Sequence, residues 1–112
     1  MVSAEARVND QDLDQLTSLF RLLSDKTRLN ILMLLTAGER NVTSICEELK
    51  LPQPTVSHHL GLLRINSVIA NRRSGKQVYY GLNGRFNLRE GQLIEIGADR
   101  FGVKIVPRAK VA

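Results

Sequence analysis

The sequence has few aromatic side chains and a single cysteine, and both scarcities restrict its fold. Aromatic residues make up 4% of the 112 residues and tryptophan is absent, so the core must consist largely of Leu, Ile and Val. Such a core favours helices over a β-sandwich. Cys46 cannot form an intrachain disulfide, and no Cys-x-x-Cys pair suggests structural zinc. We expect one domain with one modest core in a reducing compartment.

Long apolar runs are also missing. The longest, such as residues 31–35, are too short to span a bilayer, and no basic N-terminal segment precedes an apolar run of the kind that directs secretion. The sequence has no nucleophile elbow, no glycine-rich phosphate loop and no pair of carboxylates in its basic half. It therefore predicts a cytoplasmic protein that is not an enzyme and needs no cofactor.

Acidic residues are absent from a long central stretch. Residues 49–89 contain no Asp or Glu but seven Lys or Arg, whereas residues 1–49 contain eight acids and five bases. A segment of one positive sign favours a polyanion as partner, and nucleic acid is the natural one. Solubility alone is the other explanation, but it does not require the exclusion of acids from so long a stretch.

Apolar residues at three- and four-residue spacing predict a first helix, opened by Asn9 or Asp10 as its cap. Asp12, Gln15 and Ser18 would lie on its polar face. Its inward face would comprise Leu13, Leu16, Leu19, Phe20 and Leu23.

Three further helices are predicted before residue 66. Ser24 is the expected cap of a second helix, which is apolar nearly all round and stops at Ala37-Gly38. Asn41 would cap a short third helix. A tight turn over residues 50–53 then leads to a fourth, where Pro54 suits the first helical position because its missing N–H would be unpaired there anyway.

Two β-hairpins are predicted in the second half. Residues 68–71 and 77–82 are β-prone and flank Arg72-Arg73-Ser74-Gly75-Lys76, the pattern of a hairpin with a basic tip. Residues 93–96 and 103–106 flank Gly97-Ala98-Asp99-Arg100 and predict a C-terminal hairpin.

The third and fourth helices, joined by a tight turn, form the pattern of a helix-turn-helix unit. Val56, Leu60 and Leu63 would face the core, and the opposite face is polar and slender. Short or flat hydrogen-bonding side chains read base edges in the major groove, while cations bind phosphates. The residues predicted to contact DNA are Gln53, Pro54, Thr55, Ser57, His58, Gly61 and Arg64 in the helix and Arg72, Arg73 and Lys76 in the hairpin.

In chain order, these elements predict an α+β, mainly helical fold. It is a winged helix-turn-helix with a β-hairpin wing and a C-terminal β-hairpin. Residues 1–9 are expected to be a mobile N-terminal tail, and residues 10–112 a single DNA-binding and dimerisation domain.

Two segments resemble the ArsR/SmtB family of transcription regulators. The stretch Leu51-Pro52-Gln53-Pro54-Thr55-Val56-Ser57-His58-His59-Leu60-Gly61-Leu62-Leu63-Arg64 is similar to that family's recognition helix. The stretch from Phe20 to Leu32 resembles its "ALSDPTRLRIL" segment, and the resemblance runs from about residue 12 to residue 83. It implies a winged-helix homodimeric repressor that binds an imperfect palindrome in a promoter and releases it on meeting an inducer, often a metal ion.

The sequence departs from the family's metal-binding patterns. Where many members have Cys-Val-Cys-Asp-Leu-Cys, this chain has Asn41-Val42-Thr43-Ser44-Ile45-Cys46, and one thiolate is not a metal site. No His follows His59, so the ligands that other members carry near their C-terminal helix are missing too. That helix is also replaced by the predicted C-terminal hairpin. We expect no metal site and no response to zinc, cadmium or arsenite.

Several residues have two interpretations. Cys46 is either a small buried hydrophobe or, as the family resemblance implies, a sensing thiol. His59 is expected to pack or hydrogen-bond within the fold rather than contact DNA, and a metal shared with His58 is disfavoured because adjacent helical residues point about 100° apart. Arg64 could interact with the helix dipole or with a phosphate.

Two rival functions remain open. A general nucleic-acid binder would bind random duplex as well as its own promoter. A protein-interaction module on a winged-helix scaffold would bind no DNA even at low salt.

Overall fold

The computed structural model describes residues 7–84, 86–89, 93–97, 99–106 and 108. Within these residues the chain forms four helices and six strands. The helices are α1 (Asp10–Leu23), α2 (Lys26–Leu35), α3 (Val42–Leu49) and α4 (Gln53–Ile65). The strands are β1 (Arg40–Asn41), β2 (Ile69–Ser74), β3 (Gln77–Leu82), β4 (Phe86–Arg89), β5 (Leu93–Gly97) and β6 (Gly102–Ile105). The predicted winged helix-turn-helix is confirmed, and of the predicted tail residues 1–6 lie outside the described residues.

Asparagine caps begin α1 and α3: of the two candidates for α1 the cap is Asn9, and Asn41 caps α3 as predicted. The Asn9 side chain accepts a hydrogen bond from the backbone N–H of Asp12 at 2.8 Å, and the Asp12 carboxylate accepts one from the N–H of Asn9 at 2.9 Å. This reciprocal capping box satisfies two N–H groups that the helix leaves unpaired. At α3 the Asn41 side chain accepts from the N–H of Ser44 at 2.8 Å.

The predicted cap of α2 was wrong by one residue. Asp25 caps the helix by accepting from the backbone N–H of Arg28 at 3.1 Å. Ser24 instead ends α1, where its hydroxyl donates to the carbonyl of Arg21 at 2.8 Å. Two adjacent cap formers compete here, and the carboxylate is favoured because its negative charge also complements the N-terminal end of the helix dipole.

The predicted inward face of α1 is only partly correct. Leu19 and Leu23 are buried as expected, but Leu13 and Phe20 are 52% and 55% exposed. The two exposed residues are seven apart, so they form a second apolar stripe on the outer side of the helix. Asp12, expected on the polar face, is only 4% exposed. Its burial is possible because its carboxylate accepts hydrogen bonds from the N–H of Asn9 and from the side chain of Arg100.

The core lies between the helices and the wing. α1, α2, α3 and α4 all contribute, and α4 packs against α2, α3 and β2. The inward residues predicted for α4, Val56, Leu60 and Leu63, are fully buried. The other fully or almost fully buried residues of this part are Ile31, Leu32, Leu35, Ile45, Val68 and Ile69.

The six strands form two three-stranded antiparallel sheets, and all but β1 follow the helices in the chain. The first has the order β1-β3-β2 and includes the predicted wing. The second has the order β4-β5-β6, so the predicted C-terminal hairpin is confirmed as β5 and β6, and β4 is an additional strand. The sequence signal for β4 is the short alternation Phe-Asn-Leu-Arg. Ile96 of β5 is fully buried in the same hydrophobic cluster as the helices, so both sheets share one core.

Candidate nucleic-acid interface

The turn between α3 and α4 is built by a left-handed residue and a proline. Lys50 has φ 55° and ψ 46°, and the N–H of Leu51 donates to the carbonyl of Cys46 at 3.2 Å, which closes α3. Pro52 is the N-terminal cap residue of α4, so Pro54 is the second helical residue rather than the first. The missing N–H of Pro54 still leaves no helical hydrogen bond unmade, because the first turn has no carbonyl partners.

α4 presents the polar surface that the sequence predicts. Opposite its three buried residues, the side chains of Gln53, Pro54, Thr55, Ser57, His58 and Arg64 are exposed, and Gly61 is half-buried. A Cβ placed on Gly61 would meet no atom within 4 Å, so nothing in this part of the fold requires a glycine there. The absence of a side chain at Gly61 therefore leaves room for the backbone of α4 to approach the floor of a DNA groove.

His59 is held by an arginine of α2. Its Nδ1 lies 3.2 Å from Nη1 of Arg28, whose Nε donates to the carbonyl of Leu22 at 2.6 Å and whose Nη2 donates to that of Arg21 at 3.4 Å. A guanidinium has only donors, so Nδ1 accepts and the neutral ring carries its proton on Nε2. Arg28 thus connects the end of α1 to the middle of α4, and the expected hydrogen bond of His59 within the fold is found.

The wing is the β2–β3 hairpin, and its turn is shorter than predicted. Ser74 pairs with Gln77, which leaves only Gly75 and Lys76 in the turn. Gly75 has φ 62°, a conformation that glycine adopts without strain at the first central position of a tight hairpin turn. Of the predicted basic tip, Lys76 is in the turn, whereas Arg72 and Arg73 belong to strand β2, and all three are exposed.

Arg72 is already engaged within the protein. Its Nε lies 2.9 Å from Oε2 and its Nη2 2.9 Å from Oε1 of Glu39, and the guanidinium lies 4.9 Å from the centre of the Tyr79 ring. The hydrogen bond from Arg72 lowers the pKa of Glu39, and the same bond raises the pKa of Arg72. For Arg73 and Lys76, no ion pair or hydrogen bond of the side chain is found among the described residues.

Cys46 is half-buried on α3 and packs against the hydrophobic core. Among the described residues, no cluster of three or more His, Cys, Asp or Glu side chains could hold a metal ion. No helix among them is long and apolar enough to cross a membrane.

Sequence reasoning missed three residues that hold a charged or polar side chain of another element. Glu39 holds Arg72, Arg28 holds His59, and Arg100 bonds to Asp12 at 2.9 Å. The sequence signals for these residues were weak, because a single charged residue does not identify the residue that it will contact in the fold. For Asp12 a signal existed: an Asn followed three residues later by an Asp is close to the capping-box pattern.

Comparison with known proteins agrees with this geometry. Residues 25–64 match the family model described as "Bacterial regulatory protein, arsR family". The transcriptional repressor SdpR of Bacillus subtilis is 38% identical over 68 residues, which cover 61% of this chain and 76% of SdpR. The chain belongs to the ArsR family. It is a transcription regulator and, as predicted, not an enzyme.

Other ArsR-family proteins are similar over the same share of the chain. The arsenical resistance operon repressor of Escherichia coli is 44% identical over 66 residues, which cover 58% of this chain and 56% of that protein. A homodimeric winged helix-turn-helix DNA-binding domain of a possible ArsR-family regulator from Mycobacterium bovis is 32% identical with a TM-score of 0.62. That likeness covers 69% of this ArsR-family chain and 74% of the other.

Proposed function

We propose that this ArsR-family regulator is a cytoplasmic homodimeric repressor that binds a specific operator, an imperfect palindrome. α4 enters the major groove, and the two α4 helices of a dimer occupy successive grooves about 34 Å apart. The observation that carries the proposal is the two-sided α4, which has three fully buried residues on one side and an exposed polar surface on the other. The absence of acids between residues 49 and 89 supports it.

The predicted site residues divide into two groups by chemistry. Ser57 and His58 carry hydrogen-bonding groups suited to base edges, and Gly61 allows the groove floor to come close. Arg64, Arg73 and Lys76 supply positive charge for phosphates, whereas Arg72 is paired with Glu39. Gln53, Pro54 and Thr55 begin α4, where the free backbone N–H groups of a helix N-terminus favour a phosphate.

The dimer interface in this proposal is formed by the outer stripe of α1 and the C-terminal segment. Leu13 and Phe20 leave an apolar surface on α1, and Ile105 and Val106 are 43% and 61% exposed near the end of the chain. Covering such groups with a second copy removes apolar area from water. The homodimeric M. bovis domain supports dimerisation as such. We take residues 10–112 as the unit that binds DNA and dimerises.

We expect zinc, cadmium and arsenite not to release the operator, because the sequence has one Cys and no His after His59. Each metal is titrated against a preformed complex of protein and DNA, with fluorescence anisotropy as the readout. Cys46→Ser should behave like the unsubstituted protein apart from a small loss of stability from a half-buried hydroxyl. Release at one equivalent of metal would contradict the expectation.

The test of base reading begins with genomic DNA fragments selected by the purified protein. Ser57→Ala and His58→Ala should each weaken binding to the selected operator by about 1–3 kcal/mol while binding to random duplex changes little. Ser18→Ala, an exposed serine on α1, is the matched control. Thermal melts of all variants verify the fold, and Val56→Asp should unfold the domain because it buries an unpaired carboxylate.

Binding to both kinds of duplex should weaken steeply with salt, because neutralised phosphates release counterions. Equal affinity for the selected operator and for random duplex would favour a general nucleic-acid binder. No binding even at low salt would favour a protein-interaction module. Unchanged operator affinity in both alanine variants would show that α4 does not read bases.

A further inference from the structure

The two adjacent arginines of the wing lie on opposite faces of β2. Successive side chains of a strand alternate in direction, and Arg72 pairs with Tyr79 whereas Arg73 pairs with Val78. Ile69 lies on the same face as Arg73 and is buried in the core beside α4. Arg73 therefore shares the face of the wing that continues from α4, and Arg72 lies on the reverse face.

On that reverse face Arg72 meets an acid from a distant part of the chain. Glu39 is 33 residues away and offers both carboxylate oxygens to Nε and Nη2 of Arg72, at 2.9 to 3.1 Å. This fork geometry is specific to arginine, because a lysine ammonium is a point charge on a flexible stem. Tyr79 supports the guanidinium from one side.

Glu39 reaches Arg72 by crossing the middle strand of the sheet. The strand order is β1-β3-β2, and Glu39 directly precedes β1. A Cβ on Gly81 of β3 would lie 3.1 Å from Cγ of Glu39, so the glycine provides the room for this crossing. β1 leads through the cap residue Asn41 into α3, so the ion pair connects the wing to the start of the helix-turn-helix.

We propose that Glu39 and Arg72 form a latch that sets the angle of the wing relative to α4, so that Arg72 is a positioning residue and Arg73 and Lys76 make the wing's phosphate contacts. This inference rests on the proposed DNA-binding function. Both partners are about half-exposed, and such ion pairs contribute little to global stability. The effect of the Glu39–Arg72 pair is on the orientation of the wing. An orienting role also accounts for the presence of Glu39 beside the proposed phosphate-binding surface, where its negative charge alone would weaken DNA binding.

Conservative substitutions distinguish a latch from a phosphate contact. Arg72→Lys keeps the positive charge but loses the fork, so it should weaken operator binding about as much as Arg72→Ala, by roughly threefold or more. Arg73→Lys makes the same change on the other face and should lose less affinity than Arg72→Lys, because lysine also binds phosphate. The slope of log affinity against log salt should become shallower by about one in Arg73→Ala and stay unchanged in Arg72→Ala.

Glu39→Gln should change DNA affinity in opposite directions under the two explanations of Arg72. Removing an acid near DNA should tighten binding if Arg72 contacts phosphate, whereas loss of the latch should weaken it. In the double variant Glu39→Ala with Arg72→Ala, the losses should not add, and the exchanged pair Glu39→Arg with Arg72→Glu should recover affinity over either single change. Tighter binding by Glu39→Gln, or full affinity in Arg72→Lys, would overturn the latch.

Hydrogen exchange in the free protein separates this inference from the proposed function. Backbone amides of β2 and β3 should exchange faster in Glu39→Gln and Arg72→Lys than in the unsubstituted protein and in Arg73→Lys, with the melting temperature nearly unchanged. Faster exchange in a protein that binds no DNA would support the latch and refute the DNA-binding proposal. Unchanged exchange in both variants would refute the latch whatever the DNA measurements give.

Discussion

Gly61 is a residue that the free protein has no steric need for, although it lies in the second half of a 13-residue helix. Glycine inside a helix costs about 0.5–1 kcal/mol relative to alanine, and here a Cβ would meet no atom within 4 Å. A fold selected for stability alone would have no reason to keep it. The open surface at Gly61 is better explained by a ligand that comes close to the backbone of α4.

We predict that Gly61→Ala stabilises the protein by about 0.5–1 kcal/mol and at the same time weakens operator binding. The opposite signs of the two effects make the test specific, because an ordinary defect in the fold would lower both. Thermal or urea unfolding measures the first effect and DNA titration at fixed salt the second. Gly61→Ala with full operator affinity would remove Gly61 from the interface.

Arg28 holds α1 and α4 together, because its three hydrogen bonds end on two carbonyls of α1 and on the ring of His59. We predict that Arg28→Leu lowers the free energy of unfolding by about 1–3 kcal/mol, since the part-buried carbonyl of Leu22 and the ring of His59 lose a charged donor. His59→Asn retains an acceptor near the position of Nδ1 and should cost less than His59→Phe. Urea unfolding checks both, and equal losses in the two His59 variants would mean that the bond to Arg28 contributes nothing.

At the scale of elements, the cap of α2 makes stability depend on pH. The pKa of Asp25 lies below its ordinary value of 3.8, chiefly because the N–H of Arg28 donates to the carboxylate. A lowered pKa in the folded state means that the ionised cap stabilises α2 fully above the pKa of the unfolded chain. This contribution is lost as the pH falls through the lower pKa of the folded state.

We therefore predict that Asp25→Asn, which still caps, melts at a lower temperature than the unsubstituted protein at neutral pH. The gap should close as the pH is lowered through the ordinary value of 3.8 and then through the lower pKa of the folded state. Asp14→Asn removes the same charge from the exposed surface of α1 and serves as the control. Circular dichroism melts across this pH range give the comparison. A gap that does not change with pH would contradict the assignment of the cap to the ionised carboxylate.

The elements differ in how well the sequence predicts them. α3, its cap Asn41 and the inner face of α4 were predicted correctly because local hydrogen bonds and a single buried stripe determine them. α1 was predicted less well, since its apolar residues form two stripes and periodicity cannot say which one faces the core. The ion pair of Arg72 could not be predicted from the sequence, because its partner Glu39 is brought near only by the pairing of β1, β3 and β2.

At the scale of the whole molecule, the proposed DNA-binding surface and most of the acidic residues lie in different parts of the chain. The residues of α4 and of the wing strands include no acid, whereas eight of the eleven acids lie within residues 1–49. The second sheet lies beside α1, where the N–H of Asp99 donates to the side chain of Gln15 at 3.2 Å. The surfaces proposed for DNA and for the second copy are thus built from different parts of one core.

Arg100, in the connection between β5 and β6, makes two further hydrogen bonds to α1 and to the residues before it. Its Nη1 donates to the Asp12 carboxylate at 2.9 Å and its Nη2 to the carbonyl of Arg7 at 3.2 Å, and Asp12 is almost fully buried. We predict that Arg100→Ala lowers the free energy of unfolding by about 1–3 kcal/mol, because among the described residues Asp12 would then keep the N–H of Asn9 as its one remaining donor while its carboxylate stays buried.

Loss of this contact should also loosen the dimer, because α1 and the C-terminal segment would no longer be held in one orientation. Sedimentation over a range of concentrations should show a raised dimer dissociation constant for Arg100→Ala. Binding to a full palindrome should then fall more than binding to a half-site, since only the former needs two linked α4 helices. Lys104→Ala, in the exposed pair with Glu95 on the same sheet, should change neither quantity. If Arg100→Ala dimerises as tightly as the unsubstituted protein, the second sheet does not position the dimer interface, and the outer stripe of α1 must suffice for it.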